Sequence, residues 1–371
     1  MASNVVGLDI GSTAVRGVEL SSGNKTKPNL IRFHEVPLPP GAVSKGEVVD
    51  PDVVGTALKK LWSEGKFKSK NVVLGTGDQR ILVRDLSVPK MSLKRIRESL
   101  PFQVQSMLQM PPADSLLDFY PISESTGEQG PVVNGLLVAA EKSTVLGNIR
   151  AVERAGLTPV EVDLTPFALN RLLISRPQVK GTVALVDIGA NTTSIIVVID
   201  GVPQFVRIIP AGGDDLTQAL KSGLEIEAEQ AEELKRGMRV GADSKVEDDT
   251  RSKNSQCACA KCMAEAAKSG DHRAVEILEV ISAELLGSLR STVNYFNNTW
   301  PQNPVQQIVL TGGGAQLSGF DEALSDMTHI PVAAADPFAM VGLAHRLKKK
   351  ILQESHVSIA VALGLALRSQ S

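Results

Sequence analysis

The chain has 371 residues, 43% of them apolar and 22% charged, with a formal net charge of −2. That length exceeds one ordinary core and suits two or three domains of a globular protein. The near balance of charge argues against a general nucleic-acid-binding surface, and no stretch is long and uncharged enough to span a bilayer.

The N-terminus, MASNVV, lacks the basic and apolar regions of a signal peptide. The next stretch, VVGLDIGSTAVRGVEL, reads strand, turn, strand, and LIRFHEVPLP reads as a third strand before Pro39, Pro40 and Gly41 break the pattern. Asp50 and Pro51 open a helix with an apolar stripe at Val54, Leu58 and Leu61 and a stop at Gly65. NVVLGTG is a short strand.

From residue 81 to 159 the character changes. LVRDLSVP is extended, and Ser92 caps a basic helix with Leu93, Ile96 and Leu100 on one face. LLDFYPI and VVNGLLVAA read as strands around a polar loop, SESTGEQG, and the helix STVLGNIRAVERAG follows. This segment reads as a small α+β module inserted into a larger fold.

At Thr182 the opening pattern returns: TVALVDIGANTTSIIVVIDGVPQFVRIIP is strand, Asp-Ile-Gly turn, strand, Gly turn, strand. Asp9 and Asp187 hold the same place in two copies whose period is too long for a solenoid, so two similar halves facing each other are expected. AGGDDLTQALKSGL enters a helix. Residues 241–272 are polar and weakly patterned, and Ala274 to Phe296 is a long amphipathic helix carrying Ile277, Ile281, Leu285, Leu289 and Val293. IVLTGGGAQLSGFDEAL is strand, glycine turn, helix, and HVSIAVALGLALRS closes the chain as a helix rich in small residues.

The turns carry the chemistry. A sharp turn after a strand leaves N–H groups unpaired, and small residues let an anion approach them. Serine and threonine hydroxyls add donors, and an Asp at the strand end can hold magnesium beside phosphates. Asp9 with Gly11, Ser12 and Thr13, and Asp187 with Gly189, Ala190, Asn191, Thr192 and Thr193, would clamp a polyphosphate from both sides. One such turn alone does no more than end a strand; two copies point to a shared ligand.

Gly312, Gly313 and Gly314 follow a strand directly and would let a flat ligand lie against the backbone. No Walker A pattern occurs, and Leu317 stands where a dinucleotide fingerprint needs its last glycine, which disfavours both the P-loop and the Rossmann reading. Gly212 and Gly213 serve a phosphate or simply form a turn. Glu232, Lys235 and Arg236 share one helix face, either to grip a ribose or adenine or as a solvated face. Cys257, Cys259 and Cys262, with His272 beyond them, match no common zinc template and read as reduced thiols of a cytoplasmic protein. No Ser-His-Asp or H-E-x-x-H constellation is present.

DIGSTAVR, DIGANTTS, GGDDLT and LTGGGAQLSG, in this order, resemble the phosphate 1, phosphate 2 and adenosine motifs of the actin, chaperone and sugar-kinase ATPase superfamily. By that resemblance Arg16 reaches a β-phosphate, Glu232, Lys235 and Arg236 form the nucleotide clamp, and TPFALNRLL and IAVALGLAL are the two connecting helices. Within the superfamily, LSVPKMSLKRIRESLPFQVQSMLQMPPADSLLDFYPI resembles the PilM family of type IV pilus assembly proteins, relatives of the division protein FtsA.

The resemblance implies a two-lobed, duplicated RNase H-like α/β fold. Subdomain 1A would take residues 1–80, completed by 160–180 and 345–371; a 1C-type module would take 81–159; the second lobe, 2A and 2B, would take 181–344, with a variable cysteine-bearing segment at about 241–273. It further implies ATP with Mg2+ held through Asp9 and Asp187. A groove between 1A and 1C would receive the N-terminal peptide of a PilN-like membrane protein, alongside other pilus components and possible self-association. Thr165 stands where chaperone relatives place a glutamate that positions the attacking water, with Glu161 and Asp163 the nearby carboxylates, so weak hydrolysis is left open.

Two rivals are an FtsA-like polymerising division protein and a small-molecule kinase. FtsA proteins carry a C-terminal amphipathic membrane helix, whereas this chain stops just after the second connecting helix, so membrane attachment through partners is expected. No sequence stands out as a kinase's catalytic Asp and substrate pocket.

Overall fold

Alternation along the strands decides which faces are buried. The computed structural model describes residues 5–21, 27–108, 110–128, 130–240, 272–344, 347 and 357–368. Strands β1 (Val6–Ile10), β2 (Ala14–Leu20) and β3 (Asn29–Pro37) form an antiparallel meander. A hairpin of two-residue strands, β4 (Val43–Ser44) and β5 (Glu47–Val48), leads to helix α1 (Pro51–Gly65). Asp50 caps α1 by accepting from the N–H groups of Asp52 at 3.0 Å and Val53 at 3.1 Å. The expected stripe at Val54, Leu58 and Leu61 is buried, and the helix ends at Gly65 as expected, with Lys66 capping it in a left-handed conformation. Strand β6 (Asn71–Thr76) then joins β1 in parallel.

The inserted segment has its own sheet. Strands β7 (Leu82–Pro89), β8 (Ser115–Gly127) and β9 (Gly130–Glu141) pair in the order β7-β9-β8, and α2 (Leu93–Gln103) covers one side. The loop expected at 123–130 is mostly strand: β8 and β9 form one long hairpin down to Gly127 and Gly130. Polar residues alternate there on a two-sided surface, which periodicity in apolar residues cannot reveal. Ile96 and Leu100 enter the module's core with Val88, Phe119 and Leu137, whereas Leu93, expected on the same face, is 42% exposed. Helix α3 (Lys142–Arg154) returns the chain to α1, and β10 (Thr158–Leu164) joins β6 in parallel.

Helix α4 (Thr165–Asn170), continued by a wide turn at Arg171–Ser175, crosses to the second half. There β11 (Thr182–Ile188), β12 (Thr193–Ile199) and β13 (Val202–Ile209) repeat the meander. Helices α5 (Gly213–Leu224), α6 (Ala228–Gly237) and α7 (His272–Thr299) follow, then β14 (Gln307–Thr311), α8 (Phe320–Thr328) and β15 (Val332–Ala334). Strand β16 (Gly342–Leu343) adds to the first sheet beside β3, and α9 (Ala360–Ala366) closes the described chain.

The two large sheets run β10-β6-β1-β2-β3-β16 and β13-β12-β11-β14-β15. Each therefore has a three-strand antiparallel meander whose first strand is extended by two parallel strands. This repeated topology is the two-lobed actin-like fold with an inserted module.

Helices α4 and α9 lie between the lobes in one apolar cluster with Val18 and Leu20 of β2, Val183 and Leu185 of β11, and Ile196 and Val198 of β12. The alternate residues Ala184, Val186, Ile195 and Val197 face outward onto α7 and α8. Strands β11 and β12 are thus buried on both faces, which explains their unbroken apolar runs. The crossing of α4 and α9 is close: a Cβ on Gly364 would stand 2.6 Å from the Ala168 carbonyl carbon. Only glycine lets the two backbones approach this far. Among the described residues no helix is long and apolar enough to cross a membrane.

Candidate nucleotide cleft

The period of two also aims the two aspartates. In β11, Val183 and Leu185 face the crossing helices, so Asp187, two residues further on, lies on the same inner face. In β1, Val6 and Leu8 face outward onto α1, so Asp9 also lies inward. Both strand ends therefore turn a carboxylate toward the space between the lobes. The negative charge of Asp9 acts on Asp187 across that space.

The two turns close alike. Gly11 N–H donates to Ala14 O at 3.0 Å, and Gly189 N–H donates to Thr192 O at 2.9 Å. Each turn leaves free the N–H groups that follow its glycine: those of Ser12, Thr13, Ala190 and Asn191 have no protein acceptor among the described residues. Such successive free N–H groups form an anion-binding concavity.

Electrostatically the lobes are unequal. Asp9 pairs across the strands with Arg16, whose Nη1 lies 3.4 Å from Asp9 Oδ2 and whose Nε donates to Glu35 at 2.7 Å. Burial raises the Asp9 carboxyl above its usual range, and Arg16 opposes that. In the second copy the residue facing Asp187 across the strands is Ser194. With no arginine on its own strand pair, Asp187 is raised to about 7, first by burial and then by the charge of Asp9, with Arg16 opposing. The hydroxyl of Ser194, and that of Thr311 beside Asp187 on β14, are buried without a hydrogen-bond partner among the described residues.

These features suit a magnesium-bound polyphosphate. Two half-buried carboxylates that repel each other would be relieved by a divalent cation, and the orphaned hydroxyls lack the partners that ligand or water oxygens supply. No group of three or more His, Cys, Asp or Glu among the described residues is arranged to hold a metal alone, so such a cation would draw most of its ligands from phosphate and water.

The glycines around Asp187 shape the cleft. Gly312 has φ +91°, and a Cβ there would lie 2.6 Å from Asp187 Oδ1. Gly313 is exposed and open, and Gly314 packs on Ile188. Gly212 and Gly213 spend their N–H groups inside the protein, the first on the Asp215 side chain at 2.7 Å and the second on Gly189 O at 2.9 Å. They brace the second turn instead of offering donors. Asn191 is held by Asp214 at 3.1 Å, and the Thr193 hydroxyl is committed to Ala211 O at 2.7 Å.

Glu232, Lys235 and Arg236 do share a face of α6. The largely buried Lys235 ammonium donates to Gly213 O at 2.9 Å, Thr217 at 2.8 Å and Glu232 at 2.5 Å, tying α6 to the start of α5. Burial would raise the Glu232 carboxyl, but hydrogen bonds from Lys235, Thr217 and Arg236 outweigh it and hold the carboxyl below its usual range. Arg236 stays exposed.

Near the first connecting helix, Asp163 is 5% exposed and bonded to Arg171 at 2.7 Å, while Glu161 accepts from Arg368 at 2.6 Å. Thr165 donates to Thr76 O at 3.0 Å. Cys257, Cys259 and Cys262 lie outside the described residues; His272 opens α7.

Reading by motif passed over Glu35, Ser194 and Thr311. Ser194 was within reach of it, since it stands seven residues after Asp187 as Arg16 does after Asp9. Glu35 and Thr311 lie on strands whose pairing alone brings them in.

Comparison with known proteins agrees with the fold. A sequence model of the family described as Type IV pilus assembly protein PilM matches residues 7–247 and 255–370. The solved PilM-PilN type IV pilus biogenesis complex contains a chain 27% identical, with a TM-score of 0.82 and full coverage of both chains. The cell division protein FtsA of Bacillus subtilis (strain 168) is 25% identical over 90% of this chain and 78% of its own. The MamK double helical filament, 13% identical with a TM-score of 0.54 and 98% of each chain covered, shares the fold.

Proposed function

The chain belongs to the PilM family of type IV pilus assembly proteins, and on that premise we propose that it is an adaptor switched by Mg-ATP, docking the N-terminal peptide of a PilN-like membrane protein. One observation carries the nucleotide half: equivalent turns of the two lobes each follow an inward-facing carboxylate, Asp9 or Asp187, and each leaves its next two N–H groups free among the described residues. The name of the PilM-PilN complex supports the partner half.

In this reading the free N–H groups of Ser12, Thr13, Ala190 and Asn191 receive phosphate oxygens. Arg16, already steadied by Glu35, would neutralise phosphate charge, and Asp9 and Asp187 would hold the magnesium ion, directly or through water. Bound magnesium would supply charge neutralisation between the carboxylates. Gly312 and Gly313 leave room for the base, and α6 closes the far side. Because each lobe provides half of the contacts, ligand affinity is highest when the lobes are closed.

The inserted module would sense closure because its sheet abuts β13 of the second lobe while it also meets a connecting helix along a seam. Tyr120 of β8 packs on Phe167 of α4 with ring centroids 5.1 Å apart and the planes tilted, and on the lobe side Arg368 pairs with Glu161 of β10. A peptide docked along this seam contacts the module and a connecting helix at once. Nucleotide and peptide binding would then be coupled by about 1–3 kcal/mol. With Glu161 and Asp163 both engaged by arginines and Thr165 in the water-positioning place, turnover is slow and binding dominates. Attachment to the inner face of the membrane follows from the partner.

Calorimetry tests the reading, with Mg-ATP titrated into wild type and Asp9→Ala, and the peptide of the candidate partner titrated with ATP, ADP or no nucleotide. Asp9→Ala loses most of the nucleotide affinity, and peptide affinity changes with nucleotide state; equal peptide affinity in all three conditions would refute the coupling. The FtsA likeness favours a second reading, polymerisation, for which sedimentation with Mg-ATP is the check.

A further inference from the structure

A second site lies where the chain leaves the first lobe for the inserted module. Asp78, Gln79 and Arg80 make the outward crossing, and the β4–β5 turn lies over them. Together with Ser44, Lys45 and Glu47 they line a cavity of about 230 Å³. None of these residues belongs to the nucleotide cleft.

The turn is built to sit on Asp78. Lys45 and Gly46 both have positive φ, at 49° and 85°, and a Cβ on Gly46 would lie 2.8 Å from Asp78 Cα. Val48 N–H donates to Asn148 of α3 at 3.2 Å, which fixes the hairpin to the return path from the module. Arg80 is fully engaged, pairing with Glu47 and with Glu141 and donating to Thr144 at 2.8 Å.

Asp78 is the exception in this well-paired surround. It is 1% exposed. Its Oδ1 accepts from Arg80 N–H at 2.8 Å, but its Oδ2 is buried with no hydrogen-bond partner among the described residues. Burial raises this carboxyl, against the pull of the Arg80 amide and charge. A buried carboxylate oxygen without a donor costs free energy, so a group that supplies one gains by entering. Two carboxylates, Asp78 and Glu47, face one committed guanidinium; Lys45 at the rim is exposed and has no ion-pair partner among the described residues. The exposed Val49 beside them offers apolar contact to an alkyl stem.

We propose that this cavity is a recognition site for a primary ammonium group on an alkyl stem, such as a lysine side chain of a partner polypeptide, with Asp78 as its anchor. An ammonium brings three donors and the charge that the site lacks, whereas an anion would meet Asp78 and Glu47. Arg80 in the cavity wall also pairs with Glu141 and donates to Thr144 where the chain returns from the module, so an occupant sits beside both crossings.

The test uses the full 15N-labelled chain with N-acetyl-lysine amide, putrescine and N-acetyl-norleucine amide, each at about 1–10 mM, the range for a single charge-assisted contact. The lysine amide shifts the backbone amide signals of Gly46, Asp78 and Gln79 in a saturable way, and the norleucine amide does not. Response to lysine amide alone assigns the site to a polypeptide side chain; response to putrescine as well assigns it to primary amines in general. Asp78→Asn weakens binding at least tenfold. Lys45→Gln, which removes a like charge from the exposed rim, tightens it several-fold and serves if Asp78→Asn does not fold. Equal response to the norleucine amide, no response to either amine, or binding unchanged in both variants overturns the proposal.

Discussion

Replacing Asp187 with Asn isolates the electrostatic cost of the cleft. The Asp187 carboxyl is raised from 3.8 to about 7, with burial the first cause and the Asp9 charge the second. Since the folded-state pKa lies above the unfolded one, the folded protein holds an extra proton between these values. Stability therefore falls as pH rises through that window, and above it the folded state carries the full cost of an ionised, crowded carboxylate. A shift of this size corresponds to at most about 4 kcal/mol, and water entering the open cleft reduces the expected cost to about 1–2 kcal/mol.

Without ligand, Asp187→Asn should match wild type near pH 4, where both side chains are neutral, and exceed it at pH 8. The rise in melting temperature at pH 8 should be about 1–3 °C for a chain of this length. Scanning calorimetry from pH 4 to 8 reads this directly. In the same samples Mg-ATP should raise the melting temperature of wild type and leave the variant nearly unmoved, since the carboxylate that strains the empty cleft is the one proposed to hold the cation. A variant less stable than wild type at pH 8, or a difference that does not vary with pH, would show that Asp187 is not under this strain.

Three further outcomes follow from the packing. Gly364→Ala sets a methyl against the Ala168 carbonyl and should cost about 1–3 kcal/mol by denaturant titration, with weaker Mg-ATP binding because the crossing helices are spread. Arg171→Leu leaves the buried Asp163 without its closest cation and should cost about 3–5 kcal/mol, unless Arg368, 3.7 Å from the other oxygen, takes over; the double variant with Arg368→Gln distinguishes the two in the same titration. Lys235→Met removes three hydrogen bonds and leaves Glu232 only Thr217 and Arg236, so α6 should loosen from α5, which hydrogen exchange of the Ala228–Gly237 amides would report.

Much of the fold was legible because its signals are local. Strand β2 and strand β7 begin and end where the apolar pattern does, and Asp50 with Pro51 marks the start of α1 by cap chemistry alone. The duplication was legible because the same Asp-Ile-Gly turn must be made twice by the same residue types. Leu93 misled because a helix's first turn can project past the core that the rest of its face enters. The β8–β9 hairpin was read too short because pairing between two polar strands leaves no apolar trace.

The sequence by itself determined the two carboxylate-tipped turns, their order and the helices between them, since strand period, turn chemistry and capping act over a few residues. Only the tertiary structure decided that Glu35 and Thr311 join the cleft, that Lys235 and Thr193 are committed to holding backbone in place, and that Asp78 lies buried under a hairpin without a second partner. These depend on which distant segments share a low-dielectric space, where burial and neighbouring charge set the energy of each group, and no local pattern encodes that company.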